Sequence, residues 1–357
     1  MKNINKKIIL TGGGTAGHVT PNLALVPFLK KAGYDILYVG SHSGIEKELA
    51  QREGLPYRAV STGKLRRYPS VKNLTDAGRV IKGLSDAKKV IKEFKPDIIF
   101  SKGGFVSVPV VVAGKMRGVP VVIHESDMTP GLANKISIPF AKAVCVTFPE
   151  TRSELPAKKA FVTGAPIRSE LYAGDRTKGL DICGFDGNKP VLLVMGGSSG
   201  SVKINTCLIQ GLPDLLPHFD VIHICGKGNK SLDKRDGYTP FEYVTDDLPH
   251  IFAASDVIVS RAGSNSVCEI AALKKPNLLI PLSLKASRGD QIANAKSFLS
   301  RGFSEVLFEE ELSLKTFAER IMSVYRERER YIAVMERNAT GNGVEKVLDT
   351  IIRFTKP

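Results

Sequence analysis

Residues 11–22 read Thr11-Gly12-Gly13-Gly14-Thr15-Ala16-Gly17-His18-Val19-Thr20-Pro21-Asn22. The apolar run Lys7-Ile8-Ile9-Leu10 precedes them, and Leu23–Lys31, with helical spacing, follows. Strand, glycine turn and helix in that order open a doubly wound α/β domain. Glycines let the backbone approach a ligand closely, and the helix N-terminus behind them favours negative charge. Pro21 fits the first turn of a helix, where a missing N–H costs nothing. His18 then lies at the mouth of the turn, above the C-terminal end of the strand, where such folds place ligands.

Gly12, Gly14 and Gly17 also spell GxGxxG, the dinucleotide fingerprint. That fingerprint needs an acid at the end of the second strand to hold a ribose hydroxyl. The second apolar run, Tyr34–Val39, ends instead in Gly40-Ser41, and Asp35 stands at its start. A nicotinamide or flavin role is therefore disfavoured.

Working outward, the first half alternates strands and helices. Strands are expected at Tyr34–Val39, Tyr57–Ser61, Asp97–Ser101, Pro120–His124 and Ala143–Val146. Helices are expected at Gly44–Glu53, Val71–Phe94, Val106–Met116 and Gly131–Phe140. A second glycine turn, Lys102-Gly103-Gly104-Phe105, follows the third of these strands. Near Thr163-Gly164-Ala165-Pro166 the rhythm breaks, and the polar stretch Ala173–Lys189 reads as a linker. It restarts with strand Val191–Met195, a third glycine turn (Gly196-Gly197-Ser198-Ser199-Gly200-Ser201) and a helix from Val202 to about Leu212. Later strands are Asp220–Cys225, Phe241–Val244, Val257–Ser260, Asn277–Ile280 and Glu305–Leu307. Strands joined by helices imply parallel sheets covered on both faces.

At 357 residues the chain is long enough for two such domains. Its formal charge of +15 implies an acidic partner: nucleic acid, an anionic membrane surface or phosphorylated ligands. With 7% aromatics and no Trp, nucleic acid is the weakest of the three and is not expected as a partner. The basic residues gather in one segment, as Lys64, Arg66, Arg67, Lys72, Arg79 and Lys82, beside an apolar stripe of Leu74, Ala77, Ile81 and Leu84. That pairing suits a peripheral membrane face; the plainer alternative is a stripe packed on the sheet with solvated lysines. The five cysteines are scattered without a CxxC pair, as reduced, buried thiols would be. The basic N-terminus is followed by too short an apolar run for a signal peptide, and no stretch is long and apolar enough to span a bilayer.

Three glycine turns at the ends of parallel strands are more than packing requires, and anion binding is expected at one or more. In Ser260-Arg261-Ala262-Gly263-Ser264-Asn265, Ser264 or Asn265 can cap a helix whose free N–H groups would meet phosphate. Glu269, about a turn further, either complements the helix dipole or accepts from ribose hydroxyls. Asp290 and Gln291 open another helix and suit a polyol; Asp290 is otherwise an N-cap. The six histidines lack metal spacing, no Asp-x-Asp occurs, and no P-loop is present, so neither a metal site nor a cofactor is expected.

These segments are similar to those of a known family. GGGTAGHVTP (Gly12–Pro21), SKGGFVSVP (Ser101–Pro109), HESDMTPGLANK (His124–Lys135), TGAPIR (Thr163–Arg168), GGSSGS (Gly196–Ser201), SRAGSNSVCE (Ser260–Glu269) and GDQIANA (Gly289–Ala295) follow the order found in the MurG family. The chain resembles that family along nearly its whole length. The resemblance implies two Rossmann-like domains facing across a cleft (GT-B), at residues 1–165 and 166–340, with a final helix at 341–357 packing back on the first. It further implies a metal-independent, inverting enzyme moving GlcNAc from UDP-GlcNAc to lipid I at the cytoplasmic face of the bacterial cell membrane. On this resemblance Arg168 and Ser198 lie near uridine and diphosphate, Val244 and Thr245 at the uracil edge, and Glu269 at the ribose. Asp290 and Gln291 read the sugar, and Thr15, Ala16, Gly17, Ser264 and Asn265 complete the donor set. Gly13, Gly14, Gly103, Gly104 and Asp127 face the acceptor.

His18 is the candidate base, because imidazole titrates near working pH; otherwise it only ties down its loop. The chain departs from the family where Ser126-Asp127 replaces the frequent Gln-Asn, Ser199 a frequent Gln, and Ala16 a frequent Gly. Alternatives are a sugar transferase acting on diacylglycerol, a nucleotide-sugar epimerase and a UDP-sugar-binding protein.

Overall fold

A computed structural model describes residues 6–63, 72–197, 200–229, 235–338 and 341–357, with only the backbone of residues 72–77. The chain divides into two compact units, Met1–Arg168 with Asn342–Pro357, and Ser169–Gly341.

The first unit alternates β1 (Lys6–Thr11), α1 (Thr20–Lys31), β2 (Tyr34–Gly40), α2 (Ile45–Arg52), β3 (Tyr57–Ala59), α3 (Lys72–Phe94), β4 (Ile98–Ser101), α4 (Val108–Met116), β5 (Val121–Glu125), α5 (Leu132–Ser137), β6 (Ala143–Val146) and β7 (Ala160–Val162). Its seven strands are ordered β3-β2-β1-β4-β5-β6-β7, and each neighbouring pair is parallel. The order turns back between β1 and β4, so the loops after these two strands form the crevice where such sheets take ligands.

Strand residues alternate between two cores, as the two-residue period requires. Ile8, Leu10 and Tyr38 face one core, which α1 closes from outside. Ile9, Val39 and Ile99 face the other, beneath α3 and α4.

The second unit runs α6 (Arg176–Cys183), β8 (Val191–Met195), α7 (Val202–Leu215), β9 (Asp220–Ile224), β10 (Tyr238–Phe241), α8 (Leu248–Ala254), β11 (Val257–Ser260), α9 (Ser264–Ala272), β12 (Asn277–Leu279), α10 (Asp290–Ser300), β13 (Glu305–Val306), α11 (Leu314–Arg326) and α12 (Arg328–Asn338). Its sheet is β10-β9-β8-β11-β12-β13, parallel throughout.

The last helix, α13 (Val344–Phe354), belongs to the first unit. Val344, Val347, Leu348 and Ile351 fall at helical spacing, and all four are buried against α1 and the ends of β4, β5 and β6. At about 1.5–3 kcal/mol for each large apolar side chain removed from water, this stripe anchors the C-terminus.

Three differences from the sequence reading have local causes. The stretch expected to be a linker, Ala173–Lys189, contains α6, capped by the Asp175 carboxylate accepting from Lys178 N at 3.1 Å and closed by left-handed Gly184. The expected strand Phe241–Val244 lies earlier, at Tyr238–Phe241, and leaves Val244 and Thr245 on a loop. Strand β7 is too short for its alternation to stand out in the sequence.

Candidate active site

At the rim of the first sheet the turn after β1 is held from below. Glu46, on α2, is fully buried. Its carboxylate accepts from Gly14 N at 3.1 Å, from Ser41 N at 3.0 Å and from the Ser41 hydroxyl at 2.5 Å. Burial opposes its charge, but these donors outweigh that and hold the carboxyl below its ordinary range. Gly13 has no side chain because a Cβ there would strike this carboxylate. Tyr38 Oη donates to Gly12 O at 2.8 Å and pins the other side of the turn. Gly14 N–H therefore points at an internal carboxylate, which leaves less of this turn for an external anion than the sequence implied.

Gly14 and Thr15 are exposed at the lip, and Ala16, Gly17 and His18 form a single 3₁₀ turn just inside it. His18 Nδ1 lies 3.2 Å from the carbonyl of Lys102, in the turn after β4. A carbonyl only accepts, so Nδ1 carries the hydrogen and Nε2 keeps its lone pair. Burial lowers the pKa of His18, and the Lys102 charge lowers it further; Asp127 and the bond to Lys102 O oppose them. The result is a neutral imidazole with a free basic nitrogen. The two turns touch: Gly104 adopts φ +79°, and a Cβ there would collide with the Gly13 carbonyl and crowd the His18 ring.

A polar layer lies beneath. Lys102 is 1% exposed, and its Nζ lies 2.7 Å from His124 Nδ1 and also bonds Ser126 Oγ. His124 Nε2 meets Gly164 O at 3.0 Å. Burial and the Lys102 charge hold His124 well below the ordinary histidine range. Glu125 accepts from Asp127 N, Gly131 N and Asn134 Nδ2 at 2.9, 3.0 and 2.8 Å. Burial and then the neighbouring Asp127 charge raise its pKa against those donors.

In the second unit the third glycine turn leads to Ser201, the N-cap of α7, whose Oγ accepts from Ile204 N. Arg261, just after β11, is buried and fastens this rim. It donates to Ser201 Oγ at 2.7 Å and to Ile280 O and Pro281 O at 3.1 and 3.3 Å, and it pairs with Glu309 at 2.6 Å. Ser264, Asn265 and Glu269 lie on α9, whose N-cap is Gly263 and not a side chain as the sequence implied. Asp290 and Gln291 open α10 after left-handed Gly289, so Asp290 is the first helical residue and not the cap. Gln291 Oε1 accepts from Leu282 N at 3.1 Å, leaving its amide NH₂ as the group that can meet a ligand. Val244 and Thr245 follow β10 on the same C-terminal edge.

Ser198 lies outside the described residues. Arg168 closes the first unit's main span. The structure thus gathers Gly13, Gly14, Thr15, Ala16, Gly17, His18, Gly103, Gly104 and Asp127 on one rim. It places Val244, Thr245, Ser264, Asn265, Glu269, Asp290 and Gln291 on another.

The N-terminal domain model of glycosyltransferase family 28 matches residues 8–146, and the C-terminal domain model of that family matches residues 191–351. A UDP-N-acetylglucosamine--N-acetylmuramyl-(pentapeptide) pyrophosphoryl-undecaprenol N-acetylglucosamine transferase of Clostridium tetani is 54% identical over 98% of this chain and 99% of its own. The chain belongs to glycosyltransferase family 28. Among solved structures, MurG of Acinetobacter baumannii has a TM-score of 0.75 at 23% identity, covering 98% of this chain and 99% of that one. The architecture is GT-B. A UDP-GlcNAc 2-epimerase of Neisseria meningitidis has a TM-score of 0.65 at 14% identity, covering 97% of this chain and 100% of that one. Fold alone therefore does not separate transfer from epimerisation; the full-length sequence match does.

Lys102, Glu46 and the pair Arg261–Glu309 were not assigned from the sequence. Their partners come from distant segments, which spacing does not reveal. One signal was present for Lys102: it stands between a buried strand and Gly103-Gly104, where a solvated lysine has little room.

Proposed function

We infer that this protein is an N-acetylglucosaminyltransferase that moves GlcNAc from UDP-GlcNAc to the 4-hydroxyl of MurNAc in undecaprenyl-pyrophosphoryl-MurNAc-pentapeptide, forming lipid II for peptidoglycan. The observation that carries this reading is the 54% identity, across both domains, to a transferase of that name. The site chemistry agrees with it. The acceptor oxygen attacks the anomeric carbon from the face opposite UDP, the new C–O bond forms as the anomeric carbon–phosphate oxygen bond breaks, and UDP departs with the electron pair. The acceptor's proton passes to His18 Nε2, the nitrogen left free by the bond from Nδ1 to Lys102 O. Charge on the departing diphosphate falls to α9's N-terminus, the third glycine turn and Arg168. Among the described residues no group of three His, Cys, Asp or Glu side chains is arranged to hold a metal.

The acceptor is a lipid, and no helix among the described residues is long and apolar enough to cross a membrane. We place the membrane face at the start of α3. Leu84 packs into the core, whereas Ile81 is 72% exposed and stands beside exposed Arg79 and Lys82. Lys64, Arg66 and Arg67 lie outside the described residues, as does the side chain of Lys72. Binding there is peripheral, at the cytoplasmic leaflet.

The test is to incubate the protein with radiolabelled UDP-GlcNAc and lipid I and follow the label. Transfer to the lipid is expected. An epimerised sugar with no labelled lipid would replace this reading with the epimerase.

A further inference from the structure

Lys102 is bound at three points that serve two different turns. Its N–H donates to Thr11 O at 2.9 Å and joins β4's turn to the end of β1. Its carbonyl accepts from His18 Nδ1. Its ammonium, wholly out of water, lies against His124 Nδ1 and Ser126 Oγ. We propose that Lys102 is a positioning residue for the transfer: its carbonyl fixes which nitrogen of His18 faces outward, and its ammonium is the buried charge that keeps that nitrogen available.

The arrangement is a relay of forced choices. Gly164 O only accepts, so His124 Nε2 carries the hydrogen and Nδ1 presents its lone pair. That lone pair and the Ser126 hydroxyl receive the Lys102 ammonium, which has exchanged water for these groups. Burying a cation is expensive unless hydrogen bonds or an opposite charge offset it, and the two neutral acceptors His124 Nδ1 and Ser126 Oγ contribute to that here. Its charge bears on His18, whose Nδ1 is held by the carbonyl of the same residue and whose ring must remain unprotonated to act. The charged groups that bear on His18 are Lys102 and, from beyond β5, Asp127, with opposite signs. His124 sits beside the lysine and is held neutral, and Glu46, on the far side of the glycine turn, is spent on Gly14 and Ser41. Removing the lysine charge leaves Asp127 acting on His18 without its opponent, so the imidazole takes up a proton at higher pH.

The proposal rests on His18 being the base, and the experiment separates the two claims. Histidine is ¹⁵N-labelled in the full chain, the tautomer and titration of His18 are followed by NMR, and the signal is assigned with His18→Ala. In the wild type we expect the Nδ1–H tautomer and a titration below 6.5. In Lys102→Met the tautomer should persist, because the backbone carbonyl remains, while the titration moves upward. In transfer assays the kcat of that variant should fall several-fold more on the acid side of neutrality than on the alkaline side, and Lys102→Arg should restore part of the difference. Lys102→Gln, which keeps a donor for His124 and Ser126 but carries no charge, serves if Lys102→Met does not fold. An unmoved His18 titration in the folded variant, or a loss of kcat equal at every pH, overturns the role given to Lys102. Full kcat in His18→Ala overturns the base instead.

Discussion

The two sheets carry similar strand–turn–helix rims, yet they bury charge in different ways. In the first unit the buried ionisable groups belong to separate small networks: Glu46 under one turn, Lys102 with His124 under the next, and Glu125 beyond. Each is met by neutral donors or acceptors; Lys102 acts on the protonation of His18 and His124, and Glu46 on that of Tyr38 and Tyr57. At the rim of the second unit one buried pair, Arg261–Glu309, cancels directly. Glu309 lies 2.6 Å from Lys203 and 2.6 Å from Arg261, and the arginine also clamps Ser201, Ile280 and Pro281. A compensated pair holds loops in place but cannot easily change its protonation. The contrast fits the proposed roles, proton chemistry at the first rim and rigid presentation of a ligand at the second.

The strongest way to break this division is His18→Ala. General-base catalysis is worth about 10²–10⁴-fold, and kcat should fall by that much while the donor KM changes little. Retention of more than about half of the wild-type kcat, with chemistry limiting turnover, would return His18 to a merely structural role. The opposite rim should respond in stability. Arg261→Met removes the clamp on Ser201, Ile280 and Pro281 and leaves Glu309 with Lys203 alone. The loss, read from urea unfolding by far-ultraviolet circular dichroism, should therefore stay below the about 3–5 kcal/mol of a buried charge left with no counterion. The sign with pH follows from Glu309. Burial opposes its ionisation, but bonds to Lys203 and Arg261 more than offset this and hold its pKa down. Its contribution is therefore present above the ordinary glutamate range and is lost as pH falls through the lowered value. Glu309→Gln should flatten that acid loss. Normal stability with a large fall in kcat for Arg261→Met would make the two rims alike.

The division was only half legible in the sequence. The parallel sheets could be read because their strands are continuous apolar runs bounded by turn residues, and the three glycine turns because a turn at a strand's C-terminal end needs Gly. His18 could be read because it stands inside such a turn. The groups that tune it could not. Glu46 looks like any acid in the first turn of an amphipathic helix, and only the fold places it below Gly14. Lys102 and His124 are 22 residues apart, and Arg261 and Ser201 are 60 apart. Helix α6 was hidden for another reason: it is short, its apolar residues Leu180, Ile182 and Cys183 crowd its last turn, and only the pairing of Asp175 with Gly184 marks its ends.

Donor recognition sharpens the comparison at smaller amplitude. If Glu269 accepts from the ribose hydroxyls, Glu269→Ala should weaken UDP itself by about 1.5–3 kcal/mol, as for hydrogen bonds to a charged group. Gln291 needs a subtler change. Its Oε1 already caps Leu282 N, so truncation would disturb the loop as well as the ligand. Gln291→Glu keeps the acceptor and removes the amide donor. It should spare UDP while lowering discrimination between UDP-GlcNAc and its C4 epimer by about 1 kcal/mol, the size of one neutral hydrogen bond. Equal UDP affinity in wild type and Glu269→Ala by calorimetry would remove Glu269 from the site.

The last comparison asks which unit meets the lipid surface. Both expose apolar side chains: Ile81 is 72% exposed in the first, and Val202 and Leu284 are 72% and 69% exposed in the second. Each has basic company, but Lys203 beside Val202 is paired with Glu309 at 2.6 Å, and Leu284 has Lys285 next to it. Arg79 and Lys82 flank Ile81 on α3, and each basic residue near an anionic leaflet contributes about 1 kcal/mol. Replacing both with Gln should therefore reduce co-sedimentation with anionic vesicles by about 2 kcal/mol, roughly 30-fold in partitioning. Added salt should produce a similar loss in the wild type, since charges beyond about 10 Å are screened at 0.1 M. Ile81→Ser should weaken what remains, and Val202→Ser with Leu284→Ser should change nothing. All of these side chains are exposed, so thermal unfolding should stay at the wild-type temperature and report a surface effect alone. Loss of vesicle binding in the Val202 and Leu284 variant, with Arg79→Gln and Lys82→Gln silent, would move the membrane face to the second unit and leave the +15 charge of the chain without the role given to it here.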